Sequence, residues 1–454
     1  MGPPLSSPIL IENISYLLTV DDQDTVLRDS SVLIRDGRIA AIGAAADLAA
    51  TAPDAERIDG RGRLVMPGLV NLHTHTPMTL LRGLAEDVDL QGFLARVWAA
   101  EGAVMDPGTV QVGAELGALE SLLGGCTTQL DMYFHHDRAH AGALRVGTRH
   151  VTGPTALDGT GPDGLDFDQR LAAMAAWPTL LRDLHDAGDA WVPPSVCPHG
   201  TYTVNPENLQ EIRDVMQSWD EPGVLTIHAS ENLAENEQVH REHSRTPVRV
   251  LADSGLIGNR WPVVLGHGVH LDDTDQQVVA ANGVAVAHCP GSNLKLASGA
   301  MPWRTYRQAG IRLGIGTDGC SSSNDLDMWQ AMRQAALLAR LTAGHPDVAP
   351  AAHIVRAATI DGAGALGMAQ RIGSVEEGKE ADVIILDLDA PHLTPVHDPY
   401  ALLVFAAGRG DVTDVFVAGR GVVRDRASTR IDRAELLARA RQRGRAAAEA
   451  AARA

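Results

Sequence analysis

The chain has 454 residues, of which 45% are apolar and 21% charged, an ordinary composition for a large globular protein. Its 38 lysines and arginines against 57 aspartates and glutamates give a net charge of −19, which argues against a nucleic acid partner. No apolar run reaches the roughly 18 to 20 residues of a membrane span, and residues 1–8 lack the basic start and apolar core of a signal peptide.

The four cysteines are widely separated, and no Cys-x-x-Cys pair occurs. They are Cys126, Cys197, Cys289 and Cys320. This spacing predicts reduced thiols in a cytoplasmic protein, rather than a disulfide framework or a structural zinc site.

Short strand-like runs broken by turns occupy both ends of the chain. Asp36-Gly37 separates two such runs near the start, and this dipeptide is a strong signal for a β-hairpin. Similar runs return at 381–386 and 412–417. We therefore expect residues 1–65 and 370–426 to form one composite β-sandwich domain.

Between these ends, over residues 66–369, apolar strand-like runs alternate with helical stretches. Together with the run before His73, the candidate strands are Cys126–Met132, Arg149–Thr152, Val192–Cys197, Val224–Ala229, Val263–Gly266, Val284–His288 and Leu313–Thr317. Eight strand–helix units predict the α/β class and a (β/α)8 TIM barrel, whose active site lies at the carboxyl ends of the strands. The alanine- and arginine-rich end, 427–454, is predicted to be a C-terminal helix.

His73 and His75 follow the apolar run that begins after Pro67-Gly68. Side chains at i and i+2 of a strand point to the same face, so both imidazoles can approach one metal ion. The same pattern also occurs at ordinary solvated strand ends, and the pair alone does not decide between the two.

Polar residues recur at the ends of other predicted strands. His228 and Glu231 follow the fifth strand, His267 ends the sixth and Asp318 follows the eighth. Three imidazoles and one carboxylate, with a position left for water, are the ligands of a catalytic zinc-type site.

These residues resemble those of the amidohydrolase superfamily, and within it the methylthioadenosine/S-adenosylhomocysteine deaminases of adenine nucleosides. The resemblance covers nearly the whole chain. It is most specific in three stretches, His73–Asp87, Ala287–Leu296 and Gly316–Met328.

The resemblance implies one divalent metal, zinc or else iron, held by His73, His75, His228 and Asp318. Binuclear members of the superfamily carry a lysine at the end of the fourth strand, and this chain has Cys197-Pro198-His199 there. That difference fits a single metal ion.

Catalytic roles follow from chemistry once the metal is placed. A bound divalent ion lowers the pKa of its water from about 15.7 toward 7. Asp318 accepts the proton, and His267, outside the ligand set, orients the attacking oxygen. Glu231 is the candidate general acid and base for the heterocycle. The alternative for Glu231 is a solvated carboxylate in the first turn of a helix.

The family also suggests substrate-binding residues. Glu101 matches a glutamate that binds ribose hydroxyls, and a carboxylate suits a vicinal diol because it accepts two hydrogen bonds; a helix-surface glutamate is the alternative. His199 matches a histidine that contacts substrate. Trp98 and Trp303 are candidates to line the pocket, with buried packing as the alternative for each.

Two departures from the family bear on the substrate. Members acting on S-adenosylhomocysteine commonly carry arginines after the third strand, and residues 151–166 contain none. A carboxylate at the 5′ position would therefore lack a charge-assisted partner, so we expect uncharged 5′ groups to be preferred. Cys289, where this subgroup usually has asparagine, is more typical of guanine and oxidised-purine deaminases.

The sequence thus predicts a hydrolase of carbon–nitrogen bonds in cyclic amidines. Its substrate would be an adenine-type nucleoside such as methylthioadenosine, adenosine or 5′-deoxyadenosine, which would release ammonia. One alternative keeps the machinery and acts on a free purine, a pterin or an s-triazine, removing an amino or chloro substituent. A remote alternative is a non-catalytic scaffold. The expected partners are the small heterocyclic substrate and further copies of the chain in a dimer or tetramer.

Overall fold

The computed structural model describes residues 7–88, 90–186 and 189–451, and it confirms a mixed α/β fold. The chain opens with short strands joined by turns. They are β1 (Ile9–Ile14), β2 (Tyr16–Leu18), β3 (Val26–Leu27), β4 (Ser30–Arg35), β5 (Arg38–Gly43), β6 (Glu56–Asp59) and β7 (Arg63–Pro67).

The middle of the chain carries the parallel strands. They are β8 (Leu69–Thr74), β9 (Cys126–Met132), β10 (Arg149–Gly153), β11 (Thr155–Ala156), β12 (Ser195–Pro198), β13 (Val224–Ala229), β14 (Val263–His267), β15 (Ala285–His288) and β16 (Arg312–Ile315). The chain then returns to the outer sheets through β17 (Val383–Asp387), β18 (Val412–Val417), β19 (Arg420–Arg424) and β20 (Ala427–Ser428).

Helices fill the connections. They are α1 (Ala45–Thr51), α2 (Leu90–Val104), α3 (Pro107–Leu123), α4 (His136–Val146), α5 (Phe167–Leu184), α6 (Pro206–Ser218), α7 (Leu233–His243), α8 (Pro247–Asp253), α9 (Asp273–Ala281), α10 (Pro290–Lys295), α11 (Trp303–Gln308), α12 (Met328–Ala343), α13 (Ala351–Ala357), α14 (Ile360–Ala365), α15 (Pro399–Phe405) and α16 (Arg433–Ala451). Short 3-10 segments occur at Thr76–Leu81, Pro391–Leu393 and Arg409–Asp411.

The outer strands pair across the two ends of the chain. β4 and β5 form the hairpin predicted at Asp36-Gly37, with Arg35 opposite Arg38. In the second sheet β17 pairs with both β18 and β7, so residues from both ends share one ladder. Apolar side chains of both sheets, among them Ile11 and Val383, belong to one buried cluster. The two-layer sandwich itself stays a prediction.

The parallel strands lie in two sheets, ordered β10-β9-β8 and β11-β12-β13-β14-β15-β16. β8, β9, β10 and β13 are buried along their whole length, as is typical of parallel strands that are covered on both faces. Pro154 separates β10 from β11, and proline cannot donate to a ladder. At the other edges of the two sheets, hydrogen bonds join β8 to the residues that follow β16. Asn71 Nδ2 donates to Thr317 Oγ1 (2.7 Å), and Thr317 N donates to Asn71 Oδ1 (3.1 Å).

The predicted strands agree with the structure more closely in position than in length. β9 and β13 have the bounds that the sequence predicts. The strand predicted to begin at Val192 begins at Ser195, because Pro193-Pro194 lacks the amide hydrogens that a ladder needs. The predicted C-terminal helix begins at Arg433 rather than 427, because Ala427–Ser428 pair with β19. Its last three predicted residues, 452–454, lie outside the described part.

A buried ion pair joins the outer strands to the parallel sheets. Arg149, at the start of β10, donates from Nε and Nη2 to Asp382 (3.1 and 3.0 Å) and from Nη2 to Glu380 (2.6 Å). Removing one partner of such a buried pair typically costs about 3 to 5 kcal/mol. Within the described residues, no helix is both long enough and apolar enough to cross a bilayer.

Candidate metal centre and its cavity

Four side chains predicted from the strand ends come together at one point. His73 (β8), His75, His228 (β13) and Asp318 are all buried, and their ligand atoms lie within 4.8 Å of one another. His75 Nε2 is 3.1 Å from Asp318 Oδ1 and 3.2 Å from His228 Nε2. His73 Nε2 is 3.5 Å from Asp318 Oδ1.

Backbone carbonyls fix the orientation of two of these imidazoles. His75 Nδ1 donates to the oxygen of Met132 (2.6 Å), and His228 Nδ1 donates to the oxygen of His199 (2.7 Å). Each Nδ1 therefore carries a hydrogen, and the neutral ring presents its Nε2 lone pair to the centre of the group. Burial lowers the pKa of His75, but Asp318 raises it to about 9, so this ring releases its Nε2 proton when a cation binds.

The arrangement fits a divalent cation. Both ring nitrogens of His73 are buried and find no hydrogen-bond partner among the described residues, and burial lowers the pKa of this imidazole to about 4. Burial alone would raise the pKa of Asp318, but the adjacent imidazoles hold it well below its usual range. Neutral imidazoles and an ionised carboxylate are the donors that zinc takes.

The backbone around the group is shaped for close approach. A Cβ on Gly266 would lie 3.1 Å from His73 Cε1, so a larger residue would push on the ring. Asp318 itself adopts a positive φ of 60°, a strained conformation for this residue type. Its carboxylate is held by Gly319 N (2.8 Å) and Ser322 Oγ (2.7 Å).

His267 and Glu231 lie beside the group without belonging to it. His267 Nε2 is 3.8 Å from Asp318 Oδ2 and 3.7 Å from Glu231 Oε2, and its Nδ1 donates to Asn293 Oδ1 (2.9 Å). Burial lowers the pKa of His267, but the two facing carboxylates raise it by more than burial lowers it, so the net shift is upward. Burial raises the pKa of Glu231, which favours its protonated form.

Glu235 holds the segment that carries Glu231, and sequence reasoning missed it. Its two carboxylate oxygens accept from Ser230 N (3.0 Å) and Glu231 N (2.7 Å), while its own N–H donates to Asn232 (2.8 Å). The pattern Asn232-x-x-Glu235 before a helix is a capping-box signal, which could have identified this residue.

Three members of the group, His75, His228 and Asp318, line a cavity with an empty volume of about 600 Å³. Its walls combine apolar side chains with a few polar ones, the usual make-up of a small-molecule site. They include Met78, Phe93, Val97, Trp98, Phe134 and Leu296 together with Glu101, His199, Glu231 and His267.

Of the four predicted substrate residues, three line the cavity and Trp303 does not. Glu101 lies in the cavity wall and accepts a hydrogen bond from Tyr133 (2.6 Å), and His199 packs against Trp98 with ring centroids 5.7 Å apart. Trp303 is packed against His288 in the core and is not among the cavity's lining residues. Cys289 is buried, and burial raises the pKa of its thiol well above the usual value, which favours the thiol over the thiolate.

Comparison with known proteins agrees with this geometry. Residues 64–422 match the Amidohydrolase family, and residues 32–55 match the bacterial imidazolonepropionase-like composite domain. A 5-methylthioadenosine/S-adenosylhomocysteine deaminase of Thermococcus kodakarensis is 39% identical over 91% of this chain and 93% of its own. That of Symbiobacterium thermophilum is 40% identical over 94% of this chain and 96% of its own.

Solved structures give similar matches. An adenosine deaminase from Xanthomonas campestris with bound zinc is 36% identical, with a TM-score of 0.91 over 98% of this chain and 100% of its own. The zinc complex of atrazine chlorohydrolase from Arthrobacter aurescens is 27% identical, with a TM-score of 0.86 over 96% of this chain and 100% of its own.

Proposed function

We propose a function from one premise: the chain belongs to the amidohydrolase family. It is a metal-dependent deaminase that hydrolyses the exocyclic amine of an adenine-type nucleoside and releases ammonia. One observation carries this assignment. Three of the four grouped side chains and a carboxyl outside the group, that of Glu231, line the same cavity.

His73, His75, His228 and Asp318 would hold one metal ion. When bound, a divalent ion supplies Lewis acidity and lowers the pKa of a water molecule that it binds. We take zinc as this ion, which the zinc-bound adenosine deaminase relative supports.

The remaining steps belong to the chain's own residues. Glu231, whose pKa is raised by burial, donates a proton to a ring nitrogen of the base, which makes the adjacent carbon more electrophilic. Asp318 accepts a proton from the attacking water. His267, held by Asn293, orients the attacking oxygen. The proton on Asp318 then passes to Glu231, which delivers it to the departing ammonia, and the proton left on the added oxygen restores the Glu231 carboxyl.

We propose that a second cavity receives the 5′ group of the nucleoside, and its walls favour an uncharged group. It has an empty volume of about 820 Å³, begins at Trp98 and Gly102 beside Glu101, and has no charged side chain among its described lining residues. An arginine does lie behind this wall, since Arg170 approaches the Gly161 position. Its guanidinium is already engaged by both carboxylate oxygens of Asp163 (3.0 and 2.5 Å).

We therefore expect kcat/KM for methylthioadenosine to exceed that for S-adenosylhomocysteine by about 10-fold or more, since a missing charge-assisted hydrogen bond costs about 1.5 to 3 kcal/mol. Steady-state rates of ammonia release with both nucleosides measure the ratio. Equal use of the two would contradict the proposed 5′ cavity, and 5′-deoxyadenosine serves as a control that lacks any 5′ substituent.

Glu101 gives a pH-dependent prediction. Burial raises its pKa to about 7, against the opposing effect of the Tyr133 hydrogen bond. A ribose diol binds best to the ionised carboxylate, so KM should fall as pH rises through about 7. In Glu101→Gln this change in KM should disappear and KM should be about 10-fold higher, with kcat much less affected. A pH-independent KM in the wild type would argue against the diol contact.

The alternative substrates remain testable on the same site. Cys289 and the likeness to atrazine chlorohydrolase favour a free base or an s-triazine. A panel of adenosine, methylthioadenosine, guanine, a pterin and chloro- and amino-substituted triazines separates the possibilities. Turnover of free bases alone, with the nucleosides inert, would contradict the proposed substrate.

The finer features of the architecture remain proposals. Closure of the parallel strands into a (β/α)8 barrel is supported by the hydrogen bonds between Asn71 and Thr317 and by the family assignment. We also propose that the outer strands form a β-sandwich, and that the protein is a cytoplasmic dimer or tetramer.

A further inference from the structure

A chain of buried hydrogen bonds runs from the segment that carries His75 toward the surface, and the proposed mechanism does not use it. Asp131, at the end of β9, lies 2.8 Å from His150 Nε2. His150 Nδ1 is 3.2 Å from His140 Nδ1, and His140 Nε2 is 2.9 Å from His185 Nε2. His140 and His150 are fully buried, and His185 is half-buried at the end of α5.

The ionisation of Asp131 fixes the direction of the innermost hydrogen bond. Burial opposes ionisation of Asp131, but the donors around it lower its pKa overall, so it is an ionised acceptor. Burial lowers the pKa of His140 and of His185, which are therefore neutral at pH 7. A neutral imidazole donates from one nitrogen and accepts at the other. His150 therefore donates from Nε2 to Asp131, and its Nδ1 shares the next hydrogen bond with His140, which is in turn bonded to His185.

At the inner end of this series of hydrogen bonds, Asp131 binds Thr76, the residue that follows the proposed metal ligand His75. Asp131 Oδ1 accepts from the backbone N–H of Thr76 (2.9 Å), and Oδ2 accepts from the Thr76 hydroxyl (2.5 Å). The next residue, Met132, accepts from His75 Nδ1 (2.6 Å) through its carbonyl oxygen. Two consecutive residues of β9 thus fix both the imidazole of His75 and the peptide that follows it.

We propose that Asp131, oriented by His150, His140 and His185, is a positioning residue that sets the place of His75 in the metal site. This inference rests on the proposed metal site. Partners behind metal ligands typically change metal affinity about 10- to 100-fold when they are altered. Asp131 differs from a usual partner of this kind because it acts through the backbone and hydroxyl of Thr76 rather than through the imidazole.

Two substitutions isolate this role. Asp131→Asn removes the negative charge and places an amide donor where the carboxylate accepted from the Thr76 hydroxyl and from His150, so both partners would have to reverse their hydrogen bonds. Thr76→Val removes the same hydroxyl while keeping the side-chain shape, and Thr76→Ser keeps the hydroxyl as a matched control. Each protein is prepared metal-free and reloaded with zinc or cobalt.

The zinc dissociation constant is measured by competition with a chelator, the visible spectrum of the cobalt form reports ligand geometry, and thermal unfolding of the metal-free protein reports stability. We expect zinc binding about 10- to 100-fold weaker and a shifted cobalt spectrum in Asp131→Asn and Thr76→Val, with Thr76→Ser like the wild type.

Unchanged zinc affinity and cobalt spectrum in both variants would overturn the inference, whatever their stability. If Asp131→Asn does not fold, Thr76→Val against Thr76→Ser decides by itself. If the wild-type protein binds no zinc, the proposed metal site itself is wrong. If the wild type binds zinc and the variants bind it equally well, only the positioning role is wrong.

Discussion

Replacing Glu231 with glutamine is expected to reduce kcat for nucleoside deamination by about 10⁴-fold, the upper range for loss of a general acid and base. Glutamine keeps the size of the side chain but carries no proton to deliver to the ring nitrogen or to ammonia. Metal content should stay nearly unchanged, because Glu231 lies beside His267 (3.7 Å) and is not one of the four grouped ligands.

Rates of ammonia release and elemental analysis of the same preparation check this result. Glu237→Gln is a matched control, because Glu237 is exposed on α7, the helix that follows Glu231. Loss of the metal along with activity would show that Glu231 is a ligand. Retained activity with full metal content would remove it from the acid–base role.

Replacing His228 with alanine is expected to remove both metal and activity. His228 is 6% exposed, and its Nε2, oriented by the carbonyl oxygen of His199, lies 3.2 Å from His75 Nε2, so alanine at this position leaves the group with three ligands. Since altering outer partners already weakens metal binding about 10- to 100-fold, loss of a ligand should weaken it by more than about 100-fold.

The zinc content after dialysis and the residual kcat measure this effect. His240→Ala, at an exposed position on α7, controls for loss of an imidazole that lies away from the site. A His228→Ala protein that retains zinc at wild-type affinity would contradict the ligand assignment.

The parallel strands could be predicted because each is a short run with apolar or β-branched residues, bounded by turn residues, that alternates with a helical stretch. β9 and β13 illustrate this, since both are fully buried along their length and their bounds agree with the prediction. Local sequence failed where backbone chemistry intervened, as at Pro193-Pro194 before β12, and where a distant partner recruited residues, as at Ala427–Ser428.

The grouping of His73, His75, His228 and Asp318 follows from the same logic, because carboxyl ends of parallel strands meet at one edge. Side chains that act through tertiary contacts gave no such signal. Asp163 and Arg170 meet across a loop, and His185 reaches His140 from another helix. Trp303 is the opposite case. As a tryptophan it was a candidate to line the pocket, but the structure places it in the core.

Titration of the metal-free protein with zinc, followed by deamination of methylthioadenosine at each step, tests the central claim most directly. One group of four ligands predicts that ammonia release rises from the background rate and reaches its maximum at one zinc per chain, with the hypoxanthine counterpart as product. Activity that needs a second equivalent of zinc, that is independent of metal, or that is absent at saturation would contradict the account.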